Sequence, residues 1–249
     1  QKQIDNLTDY IKKGGPALLF LDPFPVDNPQ IAPEVPRTPA GGPFGGSPPP
    51  DPKGDLKPLL DLVGIDWPTT EIVWNAYNPH PQLADLPPEV VFIGRGSGAK
   101  DAFNPDQIAT SGLQEIVTLF PGMLRSKGGG AGPEFTPLLR TSDAGGLISW
   151  SETAQQGFMG ISGINPRRRH LPSDVGYTLA ARVKGAAADT PKPAGDAAKK
   201  DEAKEKPAII NVIAIADLDM VSEQFFELRR RKIENLDFDN VTFVLNCVD

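Results

Sequence analysis

The sequence predicts an α/β fold: a mostly parallel sheet flanked by helices, with irregular β-rich and Pro/Gly-rich insertions. Two patterns carry that expectation. An amphipathic helix runs through Gly14-Gly15 straight into the unbroken apolar run Ala17-Leu18-Leu19-Phe20-Leu21, which Asp22 closes. A strand that is apolar at every position is covered on both faces, as in parallel sheets packed between helices. A second run, 209–216, apolar but for Asn211, ends in Asp217-Leu218-Asp219.

The elements follow in order. Ile4, Leu7 and Ile11 recur at helical spacing among Lys2, Asp5, Asp9 and Lys12, and Lys12-Lys13 complement the helix dipole before Gly14-Gly15 supply a left-handed exit. Helix, Gly-Gly, buried strand and Asp22 together make half of a doubly wound unit. Residues 23–54 form a Pro/Gly-rich loop, expected to be an extended or mobile excursion. Leu56, Leu59, Leu60 and Val63 mark a short helix ended by Gly64, and 70–75 and 90–94 read as strands. Residues 113–120 and Leu124 continue in that style, and 126–133 read as a flexible turn. Strands are expected at 135–142, 146–150 and 177–183. Residues 186–207 are a low-complexity Ala/Lys/Pro/Glu insertion, read as a solvated hairpin or disorder. A helix follows at 223–232, and Asp239 or Asn240 is placed to cap a last helix over 241–248, where pattern alone also allows a strand. The whole, 1–249, reads as one α/β domain.

Composition narrows the function classes. The chain has 249 residues with 25 Gly and 27 Pro, well above the usual share of about 12%, which excludes a coiled coil or helical bundle. A net charge of −7 argues against nucleic acid as a partner. The lone Cys247 excludes an internal disulfide and a zinc site of paired thiolates, and reads as a small core residue. No apolar run reaches the roughly 20 residues that span a bilayer. The chain opens inside a helical pattern, so it reads as a piece of a longer protein.

The residues that could carry chemistry are few. Asp22, Asp217 and Asp219 stand beyond the carboxyl ends of strands, where open α/β sheets bind ligands. Such carboxylates either hold a divalent cation or act as acid and base, or else they cap the turns that follow. Arg95, in Gly94-Arg95-Gly96-Ser97-Gly98, is a fourth ligand-binding candidate, but that loop matches no phosphate-binding fingerprint and reads as a turn. Arg167-Arg168-Arg169-His170 and Arg229-Arg230-Arg231-Lys232 offer contact to an anion or partner, and the second also suits a helix C-terminus. His80 and His170 lack a nucleophile at triad spacing, and Trp67, Trp74 and Trp150 read as core or loop cover, with sugar stacking the open alternative. No catalytic residue, metal site or cofactor is expected.

Several segments, in order, resemble the GldG-type auxiliary proteins of ABC-2 transporters, a gliding-motility and uncharacterised ABC transport system family. Asp9-Tyr10-Ile11-Lys12-Lys13-Gly14-Gly15-Pro16-Ala17-Leu18-Leu19-Phe20-Leu21-Asp22-Pro23 is similar to its Y-x-x-x-G-G-x-x-L-x-x-x-D-P segment, and Leu62-Val63-Gly64-Ile65 to the end of its L-L-x-x-x-G-I helix. Pro137-Leu138-Leu139-Arg140-Thr141-Ser142 with Ser149-Trp150 resembles its L-L-x-T-S…S-W stretch, and 240–246 its closing N…F-x-L-N helix. Residues 213–222 resemble its V-V-x-G-D-S-D-F-L-S strand, with Ala216 and Leu218 where Gly and Ser are usual.

The resemblance implies a flavodoxin- or glutamine-amidotransferase-like domain without catalytic residues, whose first strands precede Gln1. It implies a place on the extracytoplasmic (periplasmic) face of the inner membrane, anchored by helices outside this sequence. ABC permease and ATPase subunits or other envelope proteins are the implied partners, with homo- or hetero-oligomers compatible. The leading expectation is therefore a noncatalytic binding or scaffolding domain. It predicts capping bonds at Asp22, Asp217 and Asp219 and no deep polar pocket around them, and convergence of the three at metal-binding distance counts against it. The rival is a sugar or phosphate receptor or hydrolase-like enzyme on the same fold. A third is an assembly module docking through its Pro-rich loop.

Overall fold

The structure, a computed structural model, describes residues 1–35, 53–128, 132–157, 160–187, 209–231 and 236–249. Its elements are α1 (Lys2–Lys12), β1 (Ala17–Phe20), α2 (Lys57–Val63), β2 (Ile65–Asp66), β3 (Glu71–Asn75), β4 (Val90–Gly94), β5 (Glu115–Leu119), β6 (Arg125–Ser126) and β7 (Glu134–Arg140). They continue with β8 (Gly145–Ser149), α3 (Trp150–Thr153), β9 (Ala154–Gly157), β10 (Gly160–Ile164), β11 (Thr178–Ala186), β12 (Ile209–Ile215), α4 (Glu223–Arg231) and α5 (Asn240–Val248).

The central sheet runs β1-β12-β11-β7. Its strands alternate their side chains between two packed faces. Leu19, Leu21, Val212, Ala214 and Ala216 meet Ile11 of α1 and Leu59, Leu60 and Val63 of α2. Leu18, Phe20, Ile213 and Ile215 face the other way, toward Phe243 of α5 and Val91, Ile93 and Ile116 of β4 and β5. Helices thus cover both faces, as the continuous apolar runs require. Gly14 (φ +85) and Gly64 (φ +66) end α1 and α2 in the left-handed conformation that favours glycine.

The mostly parallel sheet is corrected. Among the described residues only β1 and β12 run parallel; β11 pairs antiparallel with both β12 and β7. The strands on either side of the low-complexity insertion face each other, with Ala186 opposite Ile209. Chain reversal between neighbours gives an antiparallel pair, whereas a parallel pair needs a crossover. The remaining strands form two-stranded antiparallel ladders, β3 with β8, β4 with β5, β2 with β6 and β9 with β10.

Part of the Pro/Gly-rich loop is also corrected. Residues 23–35 are folded: Pro29–Ile31 form a 3-10 turn, and Phe24, Ala32 and Val35 are buried with Ile72, Trp74, Phe120, Ile148 and Trp150. Expectations for 36–52, 129–131, 188–208 and 232–235 fall outside the described residues.

The closing helix forms, but not through the expected cap. The Asn240 side chain pairs with β5 instead, accepting from Val117 N (3.0 Å) and donating to Val117 O (2.7 Å) and to Met220 O (3.1 Å). Asp239 likewise accepts from Gln114 N and Glu115 N. Both serve the open edge of β5, whose buried amide would otherwise lack an acceptor.

Candidate functional site

The parallel pair builds the site. Its register sets Phe20 opposite Ile215, so Asp22 and Asp217 lie the same two residues past paired positions and emerge side by side at one end of the sheet. Asp219 follows in the 3-10 turn Asp219–Val221. One oxygen from each of the three carboxylates lies within 4.8 Å of the others. All three side chains are buried, Asp217 completely.

Each carboxylate also accepts backbone N–H groups, as capping predicts. Asp22 takes Phe24 N (2.8 Å) on Oδ1 and Leu218 N (3.0 Å) on Oδ2. Asp217 takes Met220 N (3.2 Å) on Oδ1 and Leu119 N (2.8 Å) on Oδ2, and Asp219 Oδ2 takes Val26 N (2.5 Å). The three therefore staple together the segments after β1, β5 and β12. The β5 segment is itself tightly held: Phe120 adopts φ +51, donates its N–H to Glu89 O at 2.8 Å and stacks on Phe24 at 5.3 Å.

No Lys, Arg or His forms an ion pair with the three among the described residues. Burial pushes Asp22 up to about 7, with the Leu218 N–H opposing and the Asp219 charge adding. Burial and the Asp22 charge hold Asp217 well above the usual carboxylate range. Asp219 is raised by burial as well, against the pull of Val26 N–H. Desolvation of like charges thus outweighs the amide dipoles, which shifts the balance toward the protonated form. A divalent cation is the other species that three such carboxylates could hold. The N–H dipoles aimed at them stabilise the ionised carboxylates, so they oppose the proton and compete with a cation, and it is burial that favours protonation.

Capping and convergence, expected to exclude each other, occur together. Three of the surface cavities among the described residues lie elsewhere. One of about 340 Å³ is lined by Gly98, Lys100, Asp101, Arg140 and Asp143, and one of about 430 Å³ by Arg95, Lys100, Asn104, Thr110 and Ser111. A third, of about 460 Å³, lies between Ile31, Leu56, Trp67 and Thr69. None includes a strand-end aspartate. Arg95 is not brought to the cluster: its Nε donates to Leu113 O at 3.3 Å, and its glycine loop is a 3-10 turn left through Gly98 at φ +83. Lys100 and Arg140 are offset by Asp101 and Asp143, so the first cavity has no charge preference for an anion.

The sequence reading missed two acidic groups. Glu89 is fully buried and receives Arg168 on both oxygens, through Nε and, at 2.7 Å, Nη2; His170 Nε2 lies 2.8 Å from Oε1. Burial alone would raise Glu89, but these partners hold it below its ordinary value. His80 Nε2 lies 2.9 Å from Glu115 Oε2, packed on Phe92 and Phe238. The other ring nitrogen of His80 meets Gln82 at 3.5 Å, so no nucleophile completes a triad. The only signal for Glu89 is a lone charge abutting the apolar strand at Val90. In the second basic cluster Arg230 and Arg231 pair with Glu227 along α4, and Lys232 is outside the described residues. Burial pushes the Cys247 thiol up to about 12, which fits a packed side chain.

Fold and site together define a mixed α/β domain whose strand ends carry a buried acidic cluster stapling three loops. The family described as ABC-type uncharacterized transport system matches residues 1–247, and the chain belongs to it. The resemblance to GldG-type auxiliary proteins holds at family level. No curated protein and no solved structure matches the chain.

Proposed function

We propose that this auxiliary component of an ABC transport system is a noncatalytic binding or scaffolding domain. It works at the extracytoplasmic face of the membrane, anchored by segments outside this sequence, in an ABC-2 type export or gliding-motility machine. Its partners are the permease and ATPase subunits. One observation carries the reading: five of the six strand-end carboxylate oxygens are spent on backbone N–H groups. Groups so engaged hold loops in place and are poorly free to bind substrate or transfer protons. The flavodoxin- or amidotransferase-like layout has support from the parallel β1-β12 pair and the helices on both faces.

A second reading, a small-ligand receptor or enzyme, is favoured by the convergence of the same three carboxylates. A thermal-shift screen with Mg²⁺, Ca²⁺, Mn²⁺, nucleotides and sugars separates the two. The scaffolding reading expects no ligand to raise the melting temperature, and expects co-purification with the co-expressed permease. A divalent cation that stabilises the wild type but not Asp217→Asn transfers the assignment to the second reading.

A further inference from the structure

The basic run at 167–170 divides by register. Arg168 and His170 turn inward onto Glu89, whereas Arg167, Arg169 and Leu171 face solvent, Leu171 with 72% of its surface exposed and nearby Val175 with 50%. Neither outward guanidinium has an ion-pair or hydrogen-bond partner among the described residues. The strap 166–175 has no regular secondary structure, yet it is fixed. Ser173 N donates to Gly145 O at 2.9 Å, Arg169 N to Glu152 Oε1 at 2.8 Å, and the hydroxyls of Ser173 and Tyr177 meet at 2.7 Å. Glycine is required beneath it: a Cβ on Gly146 would sit 2.3 Å from Leu171 O, and one on Gly176 would sit 2.5 Å from Thr141 O.

A buried ion pair contributes little net stability, and its best-attested use is to fix register. Here the register decides which side chains point out. They are two free cations and two apolar groups, on a chain whose net charge is −7. Cationic and apolar groups side by side are the two signals by which a surface adheres to anionic lipid. Asp174 is the one carboxylate on the strap, and it opposes that attraction.

We propose that strap 166–175 adheres to a membrane surface carrying anionic phospholipid. Leu171 and Val175 enter the headgroup region, and Arg167 and Arg169 pair with lipid phosphates. This rests on the transport-system reading only in choosing a membrane over another anionic surface.

The test is co-sedimentation of the whole chain with mixed phosphatidylcholine–phosphatidylglycerol vesicles against phosphatidylcholine alone. Binding is expected only with phosphatidylglycerol, weakening as salt rises. Each arginine near the surface contributes a factor of about five, so Arg167→Glu with Arg169→Glu lowers partitioning by about 30-fold or more, and Asp174→Asn raises it several-fold. Leu171→Ser weakens binding without changing its salt dependence. All four positions are exposed, so unchanged urea midpoints establish that the variants fold. Binding indifferent to phosphatidylglycerol, or unaffected by the double charge reversal, overturns the proposal. So does absence of vesicle binding, the result expected if the strap serves an acidic protein surface. Permease co-purification can stand when the vesicle assay fails, so the two readings fail separately.

Discussion

The raised strand-end carboxyls predict that stability falls as pH rises, opposite to the usual effect of carboxylates. Asp22 is held at about 7 against an ordinary 3.8, so between those values the folded chain binds a proton that the unfolded chain has released. Stability is full below the unfolded value and is lost as pH climbs through the folded one. Three units at about 1.4 kcal/mol each give on the order of 4 kcal/mol, shared between Asp22 and the acidic neighbours whose charge raises it, and Asp217 and Asp219 shift the same way. Glu89, depressed by Arg168 and His170, works in the other sense, but its contribution is gained mainly below about pH 5. Urea unfolding at about pH 5 and about pH 8 should therefore give a stability lower by several kcal/mol at the higher pH. Asp22→Asn removes one titrating group and keeps one oxygen acceptor. It should flatten that dependence by about one proton while costing about 1 kcal/mol for the lost N–H partner. Wild-type stability that is flat, or that rises from about pH 5 to about pH 8, refutes the proton-holding account.

Two further outcomes follow from the buried polar contacts. Glu89→Gln leaves the Arg168 guanidinium buried beside a neutral amide and should cost about 3–5 kcal/mol in urea unfolding; replacing Glu89 and Arg168 together by Leu and Met should recover much of that loss. Asn240→Ala removes the side chain that completes the Val117 amide and carbonyl and reaches Met220 O. It should cost about 3 kcal/mol and accelerate hydrogen exchange at the Val117 amide before the rest of β5.

What could be read in advance follows from what each pattern reports. Apolar residues at every position of 17–21, and at every position but Asn211 of 209–216, say what lies above and below a strand, and both faces of β1 and β12 are packed as that implies. Such a run carries nothing about which strand lies beside it or in which direction. The antiparallel placement of β11 and the position of β1 at the end of the order β1-β12-β11-β7 were therefore illegible. The aspartates show the same division. Two apolar runs ending in Asp made Asp22 and Asp217 candidates, but their contact depends on the register Phe20 to Ile215, which no local pattern encodes. The local rule for Asn240 selected helix capping; tertiary context offered it the unpaired edge of β5, which supplies three partners where a cap supplies one or two. Glu89 lies at the far end of this scale. A solitary carboxylate before a strand reads as a surface residue until the chain brings Arg168 and His170 back across it, 79 and 81 residues later. Local pattern thus found the layers and the strand-end acids. The pairings that decide whether those acids are reactive, proton-bound or merely structural come from contacts between distant segments, and the pH dependence of folding reads those contacts most directly.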